Sequence, residues 1–336
     1  MTLKFALIGA GRIGKVHAQA IMSSVSDVTI TAVADTHIAS AAAIAQTYDI
    51  GFYTDNHLDA IHADGVNAIL IASSTDTHAP FIMDAARAGK HIFCEKPIAT
   101  DLSIIDEALA CVEDAGVQLQ IGFNRRFDPT FARIKQTIDT GEIGTPHLLH
   151  IISRDPSPPP IEYVRASGGL FFDMAIHDFD MARFLFGEVE EVYAQGAVLV
   201  DPAIGEAGDI DTAITTLKFA NGAIGTIDNS RQAVYGYDQR VEAFGSAGCA
   251  TNQNLYPDAV TISDANRVQR ASLPLNFFLE RYMDSYRIEL TAFVDAITND
   301  RPVPVTGTDG RVPVVMAMAA NKSLAEHRPV QLTEIG

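Results

Sequence analysis

Six residues constrain this chain more than any others. Gly9-Ala10-Gly11-Arg12-Ile13-Gly14 follows the short apolar run Leu3–Ile8 and precedes the helical pattern KVHAQAIMSSV. This is G-x-G-x-x-G set between a strand and a helix. Gly9 permits the tight turn, Gly11 lets a pyrophosphate approach the backbone, and Gly14 allows the helix to pack closely on the strand. The helix N-terminus then faces the phosphates. Arg12 and Ile13 sit at that same turn. Alone, the pattern reads equally as a tight turn. Here a second strand follows, Val28–Ala34, and ends in Asp35, 21 residues after Gly14. An acid at that place hydrogen-bonds the adenosine ribose hydroxyls and repels a 2′-phosphate. Dinucleotide binding is expected, with NAD preferred over NADP. Arg12 and His37, nearby in sequence, soften that preference.

The strand–helix alternation continues. Residues 40–48 read as a helix, 68–72 as a buried strand, and 78–88 as a helix ending at Gly89. Residues 91–94 read as a strand, 102–115 as a helix ending at Gly116, and 117–123 as a strand. Units of this length imply a doubly wound parallel sheet, the Rossmann arrangement, whose ligands bind at the carboxyl ends of the strands. Three loops then matter: Ser73-Ser74-Thr75-Asp76-Thr77-His78, Glu95-Lys96-Pro97 and Asn124-Arg125-Arg126.

After Phe123 the pattern changes. Residues 129–140 read as a helix and 147–153 as an alternating strand, and the stiff loop PSPPP follows at 156–160. Long alternating strands are expected at 189–200, 210–219, 223–229 and 240–245, with Asn221-Gly222 as a hairpin turn. Helices at 279–298 and 310–326 close the chain, the second with Thr308 as its cap candidate. The expected fold is α/β: an N-terminal Rossmann domain, residues 1–122, and a C-terminal α+β domain, residues 123–336. The second domain carries a large open, mainly antiparallel sheet. Its uncovered face suits oligomerisation.

Between these halves lies GGLFFDMAIHDFDMARF, residues 168–184. Asp173 and His177 are four apart and on a helix would share one face. A carboxylate beside an imidazole is either a base with its orienting partner or a satisfied structural pair. Two metal ligands on one face is a third reading, but no third and fourth ligand stand at suitable spacing, so no metal is expected.

Composition narrows the classes. The formal charge of −18 over 336 residues disfavours nucleic acid and anionic membrane surfaces. Three cysteines, Cys94, Cys111 and Cys249, form no CxxC pattern and fit a reducing compartment. No uncharged run reaches the length of a membrane span and no leader pattern opens the chain. The cytoplasm is the expected location.

The glycine loop, S-S-T-D-T-H-A-P and E-K-P together resemble the Gfo/Idh/MocA oxidoreductases. Further segments resemble the bacterial inositol 2-dehydrogenases within that family: GFNRRFDP, SRDP, SGGLFFDMAIHDFDMARFL, YGYDQRVEAFGSAG and FFLERYMDSYRIELTAF. The resemblance covers essentially the whole chain. It implies that Lys96, Asp173 and His177 form the catalytic set, with Lys96 at the nicotinamide end of the pocket, and that the assembly is a homotetramer. The chemistry suits the residue types. Oxidising a secondary alcohol needs a proton taken from oxygen and a hydride from carbon. His177 fits the base, since an imidazole's reference pKa of about 6.5 lies near working pH. Asp173 fits the partner that holds its tautomer, and Lys96 the cation that stabilises developing alkoxide charge.

Ser73, Thr75, His78, Glu95 and Asn124 join the expected cofactor contacts. Asn124, Arg125, Arg154, Asp155, Tyr235 and Tyr237 join Lys96, Asp173 and His177 as expected contacts of a cyclic polyol. For the arginines a salt bridge, for the tyrosines core packing, and for His78 a structural role at the helix start are equal alternatives. The expected activity is NAD-dependent oxidation of myo-inositol or a close stereoisomer to the 2-ketone. Rivals are a dehydrogenase of another polyol or an aldopyranose, and a non-catalytic dinucleotide sensor on the same fold.

Overall fold

The computed structural model describes residues 2–336 and resolves two compact units. The first comprises residues 1–127 and 283–314, the second 128–282 and 315–336. The local sequence pattern alone predicts a boundary after residue 122, with the whole remainder in the second domain. The return of 283–314 to the first unit is a long-range packing event that no local pattern announces.

In the first unit six parallel strands lie in the order β3-β2-β1-β4-β5-β6. They are β1 Leu3–Ile8, β2 Val28–Ala34, β3 Phe52–Thr54, β4 Ala68–Ile71, β5 His91–Glu95 and β6 Leu119–Gly122. The order reverses between β1 and β4, which places the ligand crevice of such sheets at their carboxyl ends. The connecting helices are α1 Arg12–Ser24, α2 Ile38–Tyr48, α3 His57–Ile61, α4 Thr75–Arg87 and α5 Leu102–Ala115. The Asp101 side chain caps α5 by accepting from the Ser103 amide at 2.8 Å, and Gly116 ends it in a left-handed conformation. The core gathers Leu3, Phe5, Leu7, Ile21, Val33, Leu70 and Phe93 with Leu290, Phe293 and Val294 from the late segment. Those last three explain why residues 283–314 belong here: they bury an apolar stripe that has no other cover.

The second unit carries a seven-stranded sheet in the order β12-β11-β7-β10-β9-β8-β15. Its strands are β7 Pro146–Arg154, β8 Val189–Ala197, β9 Thr212–Phe219, β10 Ile224–Ser230, β11 Asp238–Gly245, β12 Cys249–Thr251 and β15 Val330–Gln331. A short hairpin of β13 Thr261–Ile262 and β14 Arg270–Ala271 stands apart. All pairings in the large sheet are antiparallel except β7 with β10. Asn221-Gly222 makes the β9–β10 turn: Gly222 takes φ +88°, and the Asn221 side chain accepts from the Ala223 amide at 2.9 Å. The strict alternation of β9, buried and exposed in turn, gives the sheet one covered and one open face.

Helices of this unit are α6 Pro129–Asp139, α7 Ile161–Ala166, α8 Leu170–Asp173, α9 Ile176–Phe186 and α10 Pro202–Glu206. The chain passes between the units within α11 Phe278–Thr298 and α12 Gly307–Glu326. Thr308 does not cap α12. The start is closed by Thr306 and Asp309: the Asp309 carboxylate accepts from the Thr306 amide at 2.8 Å and from its hydroxyl at 2.9 Å. No helix of the described residues is long and apolar enough to cross a membrane.

Candidate active site

The first unit builds a dinucleotide cradle. Gly9 has φ +100°, and a Cβ there would stand 2.5 Å from the Ala72 and Ser73 backbone. At Gly14 a Cβ would meet the Gly9 carbonyl oxygen at 1.9 Å. Both positions therefore admit only glycine. Around Gly11 nothing lies within 4 Å of such a Cβ, so the space over the turn is open to an incoming group. Gly11 caps α1 without any side-chain bond, and the first turn holds no acid, which leaves its amides for an anion. Arg12 and Ile13 open that helix.

Asp35, directly after β2, is fixed before any ligand arrives. Its carboxylate accepts from the Ala10 amide at 2.7 Å and from the His37 amide at 2.8 Å. The glycine loop and the ribose-reading acid are thus one bonded construction. The residues fit an adenine dinucleotide: an open glycine turn, a helix start with no side-chain cap and no acid, and an oriented carboxylate.

The other expected cofactor contacts cluster in loops at the same strand ends. The Ser73 hydroxyl shares a 2.6 Å hydrogen bond with Thr77, and Thr75 begins α4. His78 is buried; its Nδ1 lies 2.7 Å from the Pro97 carbonyl and its Nε2 3.1 Å from the Ser73 carbonyl. Burial holds this imidazole below the ordinary histidine value, against the pull of those two carbonyls. A neutral ring donates through one nitrogen only, so of these two carbonyl contacts, Pro97 in the E-K-P loop and Ser73 after β4, one at a time is a hydrogen bond. Lys96-Pro97 is cis. The Glu95 carboxylate turns to His17, 2.6 Å away, and Lys96 follows it, half-buried. Asn124 and Arg125 are buried in a turn of 3-10 helix after β6, where Arg126 pairs with Asp309 at 3.1 Å.

The second unit holds Asp173 and His177, but not on one helix. Residues 168–184 break into α8, ending at Asp173, and α9, beginning at Ile176. Between them the Ala175 amide reaches back to the Leu170 carbonyl, five residues away, at 3.0 Å. The wide turn sets Asp173 at the end of one segment and His177 in the first turn of the next. The Gly168-Gly169 pair has its own reason. Both have positive φ, and a Cβ on Gly169 would stand 2.8 Å from an Asp209 carboxylate oxygen that accepts from the Leu170 amide.

Asp173 is held from both sides. Tyr163 donates its hydroxyl to one carboxylate oxygen at 2.8 Å, and Arg231 Nη1 donates to the other at 2.8 Å. Arg231 is 1 % exposed and also faces Asp155 at 4.0 Å and Asp209 at 3.9 Å. Burial works against its charge, yet Asp173, Asp155 and Asp209 together hold its pKa above the ordinary arginine value. Arg231, Tyr163 and Asp209 were missed by the sequence reading. Each lies far from Asp173 along the chain or on a short irregular helix, and no spacing rule links them.

The remaining expected substrate residues divide. Asp155 joins the Arg231 cluster. Arg154, one residue earlier on β7, alternates to the opposite face of the strand. There it donates to Asp228 through Nε at 3.0 Å and to the Tyr235 hydroxyl at 3.2 Å. Tyr235 in turn donates to Asp238 at 2.6 Å. Tyr237 is buried edge-on against Tyr282, with ring centroids 6.0 Å apart. The structure therefore brings Asp155, Asp173 and Arg231 together, and sets Arg154 and Tyr235 in a separate ion-pair network. The alternative readings, a salt bridge for Arg154 and core packing for Tyr237, describe what these two side chains do here.

Known proteins share both the fold and the length of this chain. A family model described as the oxidoreductase family, NAD-binding Rossmann fold, matches residues 3–123, and one described as the GFO/IDH/MocA C-terminal domain matches residues 131–251. An uncharacterised oxidoreductase of Bacillus subtilis is 53% identical over 97% of this chain and 95% of its own. A myo-inositol 2-dehydrogenase of Thermotoga maritima is 45% identical over 99% of both chains. The scyllo-inositol dehydrogenase of Lactobacillus casei, solved with bound NAD(H) and scyllo-inositol, superposes with a TM-score of 0.92 at 28% identity, covering 99% of this chain and 100% of its own. With the glycine cradle, the fixed Asp35 and matches spanning both units, the chain belongs to the GFO/IDH/MocA oxidoreductase family and is an NAD-dependent enzyme.

Proposed function

We propose that the enzyme oxidises myo-inositol, or a close stereoisomer, to the 2-keto-inositol. The observation that carries the reading is Asp173, a carboxylate pinned by Tyr163 and Arg231 just before His177. It stands in a chain matched end to end by a relative named myo-inositol 2-dehydrogenase. In this reading His177 takes the hydroxyl proton, Asp173 supports the resulting imidazolium, and Lys96 donates a hydrogen bond to the oxygen as it becomes a carbonyl. The bound oxidised nicotinamide supplies the hydride acceptor. The alcohol thus loses one proton to the protein and one hydride to the cofactor, and no metal is needed for the balance.

Asp155 and the buried Asn124 and Arg125 offer further hydrogen-bonding groups suited to a ring of hydroxyls. The open face of the seven-stranded sheet, with Leu148, Tyr193 and Ile224 around a groove of about 290 Å³, suits a second copy of the chain, and a homotetramer is the proposed assembly. The three unpaired cysteines suit the cytoplasm.

The test is NADH formation across a panel of inositol stereoisomers and aldopyranoses, each with NAD and with NADP. Highest kcat/KM for an inositol with NAD supports the reading. Glucose as by far the best substrate sinks it. H177A should lower kcat by roughly 10²–10⁴; unchanged turnover at neutral pH removes His177 as base.

A further inference from the structure

Three titratable side chains of the first unit meet largely out of solvent, in a place the proposed proton and hydride transfer does not use. His17 on α1 and Glu289 on α11 are fully buried, and Glu95 at the end of β5 leaves 12% of its side chain exposed. Their nitrogen and oxygen atoms lie within 4.8 Å of one another. His17 Nε2 and Glu95 Oε1 are 2.6 Å apart. Gly122 on β6 faces the same carboxylate: a Cβ there would press on all its atoms at 3.2 Å. The rings of Phe93 and Tyr286 stand edge-on to His17.

Glu289 differs from the other two. Gln120 donates to its main-chain carbonyl at 3.1 Å, but neither carboxylate oxygen has a hydrogen-bond partner among the described residues. A charge left so would be costly. Burial, with the neighbouring Glu95 adding to it, pushes its carboxyl well above the usual range, and the neutral form avoids that cost. A divalent ion is the other occupant such donors accept. Two donors on one ion at about 2.0–2.1 Å would stand about 3.3 Å apart. The His17–Glu95 contact is shorter than that and is a hydrogen bond.

We propose that His17, Glu95 and Glu289 form a positioning site for Lys96: Glu289 is kept as a neutral acid, His17 clamps Glu95, and the next residue enters its loop from a fixed point. Three elements meet at the clamp. They are the helix after the glycine loop, the strand that ends in E-K-P, and the helix that returns to this unit. The inference rests on Lys96 acting at the reacting oxygen, as proposed above.

Melting curves of the full-length wild type and E289Q from pH 5 to 9, with kinetics of H17A, H17Q and K96A, test it. The unfolded chain loses the Glu289 proton near pH 4.3 while the folded chain keeps it, so wild-type stability falls as pH rises. The amide has no proton to lose. E289Q should therefore melt several degrees above wild type at neutral pH, with the gap widening upward from acid pH. E289Q melting at or below wild type throughout overturns the neutral acid, as does a stoichiometric metal whose chelation lowers the wild-type melt. H17A should lower kcat about tenfold or more with little change in KM for NAD. H17Q, whose amide nitrogen reaches the same Glu95 oxygen, should restore most of it. Wild-type kcat in H17A, or no restoration by H17Q, overturns the clamp. Wild-type kcat in K96A identifies the failure as that of the lysine's role, because the melting comparison still reports on Glu289.

Discussion

Replacing Arg231 by Met should separate a pinned catalytic carboxylate from a merely buried ion pair. The guanidinium is 1 % exposed, bonded to Asp173 at 2.8 Å, and stands within 4.0 Å of Asp155 and Asp209. Methionine fills much of the same volume and removes the positive charge that Asp173, Asp155 and Asp209 face. Breaking a buried pair by removing one partner costs about 3–5 kcal/mol, because the other charge is left uncompensated. For a unit of this size each kcal/mol moves the midpoint by about 2–4 °C, so R231M should melt about 6–20 °C lower. Asp173, without its Arg231 bond, loses part of what fixes it, and a shift of about 1 Å near the chemistry costs about 10²-fold in kcat. KM for NAD, set by the glycine loop and Asp35, should stay close to wild type. The double variant R231M/D173N should recover about 1–3 kcal/mol relative to additivity, because the stranded carboxylate is gone. Calorimetry and steady-state rates measure all of this. An R231M protein with an unchanged midpoint and turnover, or a strictly additive double variant, would refute the coupling.

The cofactor side and the outer face yield three more expectations. D35S removes the carboxylate that the Ala10 and His37 amides hold ready, so kcat/KM for NAD should fall about 10²-fold and the NADP-to-NAD ratio should rise; an unchanged ratio in initial-rate assays excludes Asp35 as the ribose reader. G14A places a methyl 1.9 Å from the Gly9 carbonyl oxygen, so the loop must open; NAD titration followed by fluorescence should show binding lost, and wild-type affinity would show that the turn tolerates the shift. For Asp238, burial raises its carboxyl, but hydrogen bonds from Arg240, Tyr235 and Asn254 outweigh it and hold the pKa below the usual range. A depressed carboxyl stabilises above its unfolded value and loses that contribution as pH falls through the folded one. D238N should therefore flatten the acid limb of the denaturation midpoint below about pH 4, and an identical limb contradicts the assignment.

How far the sequence reaches depends on whether the partners of a residue lie near it in the chain. β1, the glycine turn, α1, β2 and Asp35 occupy one continuous stretch; both strands are legible with their boundaries, while α1 starts at Arg12, inside the glycine motif, rather than after it. β3 was not: Phe52 and Tyr53 are exposed on a three-residue edge strand, so no buried pattern marks it. The Asn221-Gly222 hairpin was legible because its geometry is set by two residues. The Asp173–His177 spacing was read as one helix face, and there the local rule failed. The segment breaks because Asp173 is drawn to Tyr163 and to Arg231, the latter 58 residues away. The clamp of Glu95 by His17 spans 78 residues, and α11 joins the core of the first unit through Leu290, Phe293, Val294 and Ala296, far along the chain from the rest of it.

These failures share a cause, and it bears on the chemistry. A charged side chain survives burial only with a partner, and the partner is supplied by tertiary packing rather than by neighbours in the chain. The invisible part of the site is therefore the part that holds its ionic groups in place. It also bears on the two readings that the sequence leaves open for a carboxylate beside an imidazole. A carboxylate has about four acceptor positions, and in Asp173 each oxygen already receives one strong donor, from Tyr163 and from Arg231. Four acceptor positions can take a further donor beside these two, which is what an orienting partner of an imidazole needs. A group whose oxygens are so engaged is poorly placed to collect a substrate proton itself, which supports the proposal that His177 is the base.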